Sequence, residues 1–136
     1  MLSRKERDTH YMRLAIKEAE KAFAADEVPV GALVVQHDKI IGRASNQSEL
    51  LKDPTAHAEM IAITQGCEST GLGRLPGATL YVTLEPCPMC VGAALLARID
   101  RLVFGAREPK SGACGSVLHL MADAKWNFYF GKRTYS

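Results

Sequence analysis

The sequence predicts a three-layer α/β domain, and three observations predict it: an amphipathic helical segment near the N-terminus, two adjacent β-rich runs flanking a tight turn, and a later strand-helix-strand order that requires parallel strands. The chain has 136 residues, 47% of them hydrophobic. That is enough for one compact core and too little for two.

The elements follow in order. Met12, Ile16, Ala19 and Phe23 recur at helical spacing with charged residues between them, so Thr9 to Ala25 is expected to be an amphipathic helix covering one face of a sheet. Val30 to Val35 and Lys39 to Arg43 are rich in β-branched residues and flank His37-Asp38, which reads as a hairpin. Ala44 to Lys52 is polar and irregular. Asp53-Pro54-Thr55 then supplies helix-start residues for a second helix over Ala56 to Gln65, with Gly66 at its stop. Ala78 to Leu84 reads as a buried strand, Pro88 opens a helix that reaches about Ala97, and Arg101 to Gly105 is a further strand. A strand-helix-strand unit of this kind is right-handed.

Composition excludes several classes. No run of about 18 apolar residues marks a membrane span, and the opening Met1-Leu2-Ser3-Arg4-Lys5 lacks the apolar stretch of a secretion signal. A cytoplasmic protein without a membrane partner is expected. The net charge of +2 suits an anionic partner but is far from the strongly basic balance of a dedicated nucleic-acid binder. Four cysteines do not make a disulfide framework in a chain of this length, and Cys87 and Cys90 stand three apart, as metal ligands or redox thiols do.

The chemistry concentrates in two places: His57-Ala58-Glu59 at one expected helix start, and Pro86-Cys87-Pro88-Met89-Cys90 at another. Cysteines three apart share one side of a first helical turn, where the helix dipole and a zinc ion both favour thiolates. With one imidazole they make three ligands. Structural zinc sites fill four positions from protein, whereas three leave a position for water, so the donor set implies catalysis. In mid-helix, residues two apart point about 200° from one another. His57 and Glu59 can therefore converge only at a helix end, with His57 on the metal and Glu59 beside the water. Zinc lowers the pKa of bound water to about 7, which lets Glu59 collect a proton at neutral pH and return protons to a leaving group. A redox reading of the Cys-x-x-Cys pair leaves His57-Ala58-Glu59 without a purpose. A structural zinc site needs a fourth ligand, and neither Cys67 nor Cys114 has a partner at ligand spacing; His10, His37 and His119 lie outside both motifs.

His-x-Glu with Pro-Cys-x-x-Cys is the general mark of the zinc nucleobase deaminases. Further runs resemble the bacterial tRNA-specific adenosine deaminases within the cytidine deaminase-like superfamily: Glu27-Val28-Pro29-Val30-Gly31-Ala32, Asn46, Asp53-Pro54-Thr55-Ala56-His57-Ala58-Glu59, Leu80 to Cys90, Phe104-Gly105-Ala106 and Lys110-Ser111-Gly112-Ala113. The resemblance implies a three-layer α/β/α cytidine deaminase-like fold with a mixed five-stranded sheet, a homodimer, one Zn2+ per subunit, and a hydrolase that converts adenosine to inosine at the wobble position of a tRNA anticodon loop. It assigns His57, Cys87 and Cys90 to the metal and Glu59 to catalysis. Asn46 is then expected to bond the flipped base or its ribose, the backbone around Ala58 to contact the base, and Val28, Pro29, Val30 and Leu84 to wall the pocket. Glu108 stands where the family commonly has Asp, at a contact with the nucleotide 5′ of the target. Plain strand core for Val28 to Val30, and a simple turn role for Asn46, stay open.

The resemblance runs to about Leu120. The expectation is one deaminase domain over residues 1–136 without the family's final helix, with Phe128 to Phe130 as a fifth strand and Lys132 and Arg133 near phosphates. Two other functions compete with tRNA editing. A deaminase of a free base or nucleoside, such as guanine or cytosine, would use the same zinc chemistry. A non-catalytic zinc-binding partner subunit would not need Glu59.

Overall fold

The computed structural model describes residues 2–122 and 134–135. Helix α1 (Arg4–Ala24) precedes the hairpin β1 (Gly31–Gln36) and β2 (Lys39–Ser45); α2 (Ala58–Thr70), β3 (Thr79–Leu84), α3 (Pro88–Leu96) and β4 (Arg101–Ala106) follow. A short 3-10 turn at Leu120–Ala122 and the two-residue β5 (Thr134–Tyr135) complete the order. The sheet runs β2-β1-β3-β4-β5: four full strands and a short fifth. β1 is antiparallel to β2 and β3, whereas β4 is parallel to β3, as the connection through α3 requires, and β5 is parallel to β4. Phe128 to Phe130, expected as the fifth strand, lie outside the described residues, as do Lys132 and Arg133.

Alternation along the strands sorts the core into two layers. Leu33, Val35, Tyr81 and Val103 pack with Tyr11 and Ala15 on the α1 side. Ala32, Val34, Leu80, Val82 and Leu102 face Ala62 and Ile63 of α2 and Val91, Ala94 and Leu95 of α3. Two glycines set how closely the layers approach. A Cβ on Gly31 would run into the Ala15 carbonyl oxygen, and one on Gly42 into that of Ala62. At the hairpin tip His37 and Asp38 both take positive φ, 52° and 57°, the pair that a two-residue turn matched to strand twist demands.

Three sequence expectations are corrected. α1 begins at Arg4 rather than Thr9, because Ser3 and Glu6 form a reciprocal capping box. Its inward face carries Tyr11, Ala15, Glu18, Ala19 and Ala22, while Ile16 and Phe23, counted in the expected stripe, are 46% and 72% exposed. Small alanines win that face because the helix lies close against Gly31, and Glu18 can be buried there because Arg43 and Lys21 pair with it. α2 does not stop at Gly66, which instead makes room inside the helix for Leu75 and Ile41. The stop is Gly71, in the left-handed conformation at φ 73° with its N–H on the Cys67 carbonyl.

Candidate metal centre and substrate cavity

The two expected motifs meet across the sheet's α2/α3 face because both sit at helix starts. His57 is the N-cap of α2 and Glu59 lies in its first turn; Cys87 is the N-cap of α3, with Pro88 at the first helical position and Cys90 two residues on. Asp53 shapes the approach to α2 by accepting from the Thr55 N–H at 2.8 Å and the Thr55 hydroxyl at 2.7 Å. On the α3 side, Pro86 is fully buried and its carbonyl accepts from the Ala113 N–H at 2.9 Å.

One nitrogen or sulfur atom from each of His57, Cys87 and Cys90 lies within 4.8 Å of the other two. His57 Nδ1 is 3.7 Å from Cys87 Sγ and 3.5 Å from Cys90 Sγ. A tetrahedral zinc with bonds of about 2.3 Å to sulfur and about 2.0–2.1 Å to nitrogen places such atoms about 3.6 Å apart, so the donor set fits the ion in chemistry and in spacing. The positive ends of two helix dipoles converge on the same point and favour thiolates there. The hydrogen bond from Cys90 brings the Cys87 thiol down to about 5, while that interaction and burial push the Cys90 thiol up. Burial also raises the Glu59 carboxyl.

Beside this group opens a cavity of about 250 Å³. It is the smaller of two adjoining hollows; a groove of about 800 Å³ toward the end of α1 shares Val28 and Asn46 with it. The smaller one holds the chemistry: His57, Glu59 and Cys87 reach it, together with Val28, Val30, Asn46, Leu84 and Glu108 from the expected substrate set. Pro29 does not line it. In extended chain its side chain points opposite to those of Val28 and Val30, and it is exposed. The Ala58 side chain is buried in the core, so only its backbone, at the start of α2 where N–H groups lack helical partners, is placed to meet a ligand.

Sequence reasoning missed the groups that hold the cavity walls. Ser48, Ser111 and Glu85 line it as well. Glu85 accepts from the N–H groups of Glu108 (3.1 Å), Cys114 (2.9 Å) and Ser116 (3.0 Å) and from the Ser116 hydroxyl. Burial opposes its charge, yet these bonds bring its carboxyl down to about 2. It thereby fastens the loop that carries Glu108, whose own carboxylate accepts from the Lys110 N–H. In the adjoining groove, buried Glu27 accepts from Glu49 and Leu50 N–H groups at 3.0 and 2.7 Å. Neither role has a sequence signature, because each carboxylate serves backbone donors more than twenty residues away.

Comparison with known proteins agrees with this geometry. Residues 5–106 match the family described as the cytidine and deoxycytidylate deaminase zinc-binding region. A tRNA-specific adenosine deaminase of Bacillus subtilis is 50% identical over 120 residues, covering 88% of this chain and 74% of that one. A solved structure from work on A-to-I editing by tRNA:A34 deaminases at the wobble position superposes with TM-score 0.87 at 46% identity, covering 94% of this chain and 97% of the other. A Bacillus subtilis guanine deaminase structure gives TM-score 0.71 at 33% identity, covering 78% of this chain and 66% of that one.

Proposed function

The chain belongs to the cytidine and deoxycytidylate deaminase zinc-binding family, among its tRNA-specific adenosine deaminases, and from that premise we propose that it hydrolyses adenosine to inosine at the wobble position of a tRNA anticodon. The observation that carries the chemistry is the convergence of His57, Cys87 and Cys90 beside a buried Glu59 that opens onto the same cavity. Bound by those three residues, zinc supplies Lewis-acid activation of water at neutral pH.

The protein's own groups do the rest. Glu59 accepts the proton of the attacking water, delivers it to the ring nitrogen next to the amino-bearing carbon, and carries a second proton to the departing amine. The cavity, about 250 Å³, lies at the small end of ligand sites and admits one base, which must therefore be drawn out of its strand. Val28, Val30 and Leu84 offer it apolar walls, the Ala58 backbone a polar contact, and Asn46 a hydrogen bond. Glu108 meets the nucleotide on the 5′ side. We further infer one zinc per subunit, from the one His/Cys/Cys group among the described residues, and a homodimer, to which exposed apolar side chains such as Leu96 and Val117 contribute area. No helix among the described residues is long and apolar enough to cross a membrane, and four free cysteines suit the reducing cytoplasm, where we place the protein.

The test is a substrate panel: a tRNA anticodon stem-loop with wobble adenosine beside free adenosine, guanine and cytosine, using protein of measured zinc content. Inosine formed in the stem-loop alone is the expected result. Turnover of a free base alone would retain the zinc chemistry and overturn the substrate.

A further inference from the structure

A separate cleft of about 380 Å³ opens at the opposite end of the sheet from the catalytic cavity. Leu84, which ends β3, lines the cavity, whereas Thr79, which begins it, lines the cleft. The length of the strand puts about 17 Å between them. Tyr11, Val35 and Tyr81 also line the cleft and belong to the core layer on the α1 side, so it lies on the other face of the sheet as well. A base held beside Glu59 does not reach it.

The two sites differ in charge. The catalytic cavity is lined by Glu59, Glu85 and Glu108 and by no lysine or arginine. The cleft sets Arg4, Arg7 and Arg101 against Asp8 and Asp38. Arg101 is already paired: both of its Nη atoms bond Asp8, whose Oδ1 also accepts from the Tyr81 hydroxyl at 2.6 Å. Arg4 and Arg7 form no ion pair among the described residues, and Arg7 donates only a long bond, 3.5 Å, to the Leu2 carbonyl. Both stand in the first turn of α1, where the helix dipole favours carboxylates and disfavours cations. Their placement destabilises the bare helix, and an anion between them reverses the sign of that interaction.

We propose that this cleft binds a small phosphate ester of a polyhydroxy compound, a sugar phosphate, with the phosphate between Arg4 and Arg7. Residues three apart on a helix are neighbours, and guanidinium groups meet phosphate oxygens through paired N–H bonds. The volume falls within the range of small-molecule sites and leaves space beyond a bare phosphate ion. That space is bordered by the Thr79 hydroxyl and the Asp38 carboxylate, whose side chains have no hydrogen bond among the described residues. Sugar hydroxyls donate to the carboxylate and exchange bonds with the threonine, which hydrocarbon does not.

The experiment is calorimetric titration of zinc-loaded protein with ribose 5-phosphate, which carries no base for the catalytic cavity, beside ribose as the uncharged control at constant ionic strength. Wild type should bind the phosphate and not the free sugar, and its thermal midpoint should rise by about 4 °C at ten times the dissociation constant. The double variant Arg4→Gln, Arg7→Gln keeps helix propensity and should bind about tenfold or more weakly. Lys5→Gln with Arg13→Gln removes the same charge from a different side of α1 and should bind as wild type does. No binding by wild type, undiminished binding by the Arg4 and Arg7 variant, or equal weakening in the Lys5 and Arg13 variant would overturn the proposal. So would a wild type blind to ribose 5-phosphate whose Arg4 and Arg7 variant loses affinity for the anticodon stem-loop, since the arginines then serve an RNA backbone. The titration involves no deamination, so its outcome is independent of the substrate reading above.

Discussion

Glu59 and Glu85 line one cavity, are 4% and 2% exposed, and titrate in opposite directions. Glu85 receives three N–H bonds and a hydroxyl and stays charged far below the ordinary carboxylate range. Glu59 lacks such a cradle, and burial raises it. Burial alone therefore says little about what a carboxylate does. The number of donors aimed at it decides whether it is a fixed charge that anchors a loop or a proton carrier.

Removing the metal takes away the chemical centre of the cavity that both carboxylates line. Cys87→Ala or Cys90→Ala should abolish deamination and zinc retention. With free zinc a thousandfold above the dissociation constant, loss of the ion also costs about 4 kcal/mol of unfolding free energy, read as a lowered thermal midpoint together with metal content. Next in size, Glu59→Gln should lower kcat by about 100- to 10,000-fold, since the positioned proton transfer is gone, while zinc content stays at the wild-type level. Glu85→Gln should behave differently. Its amide cannot accept as many donors, so the loop bearing Glu108 loosens, unfolding free energy falls by about 1–3 kcal/mol, and kcat/KM for the stem-loop falls about tenfold through KM.

A third carboxylate, remote from the cavity, sharpens the contrast. Asp8 accepts from Arg101 Nη1 at 2.7 Å and from the Tyr81 hydroxyl at 2.6 Å, and its carboxyl lies below the ordinary 3.8, chiefly because of Arg101. A depressed folded value means the contribution is complete above pH 3.8 and disappears as pH falls through the lower folded value. Asp8→Asn should therefore cost about 1 kcal/mol at neutral pH, with a shallower decline of the thermal midpoint in acid and unchanged stem-loop turnover.

What the sequence disclosed follows from how local each signal is. The hairpin at His37-Asp38, the helix starts at His57 and Cys87 and the parallel pair β3 and β4 all depend on nearby residues, and they stand where the pattern placed them. The mixed sheet and its outer layers follow from the same order. The inward face of α1 is not legible in the helix's own sequence, because Gly31, thirty residues downstream of the N-terminus, decides which side of that helix can approach the sheet. Glu27 and Glu85 were silent for a related reason: their partners are backbone N–H groups of distant loops, and a backbone donor leaves no trace in residue type. In sequence, a glycine such as Gly66 that makes room for Leu75 is indistinguishable from one that ends a helix.

The central claim is that Glu59 moves protons while Glu85 holds a wall, and a stem-loop titration of zinc-loaded wild type, Glu59→Gln and Glu85→Gln tests it most directly. The account predicts that Glu59→Gln keeps KM and zinc and loses kcat, and that Glu85→Gln keeps kcat and raises KM. Appreciable turnover by Glu59→Gln at wild-type zinc content, or the same kcat loss in both variants, would contradict it.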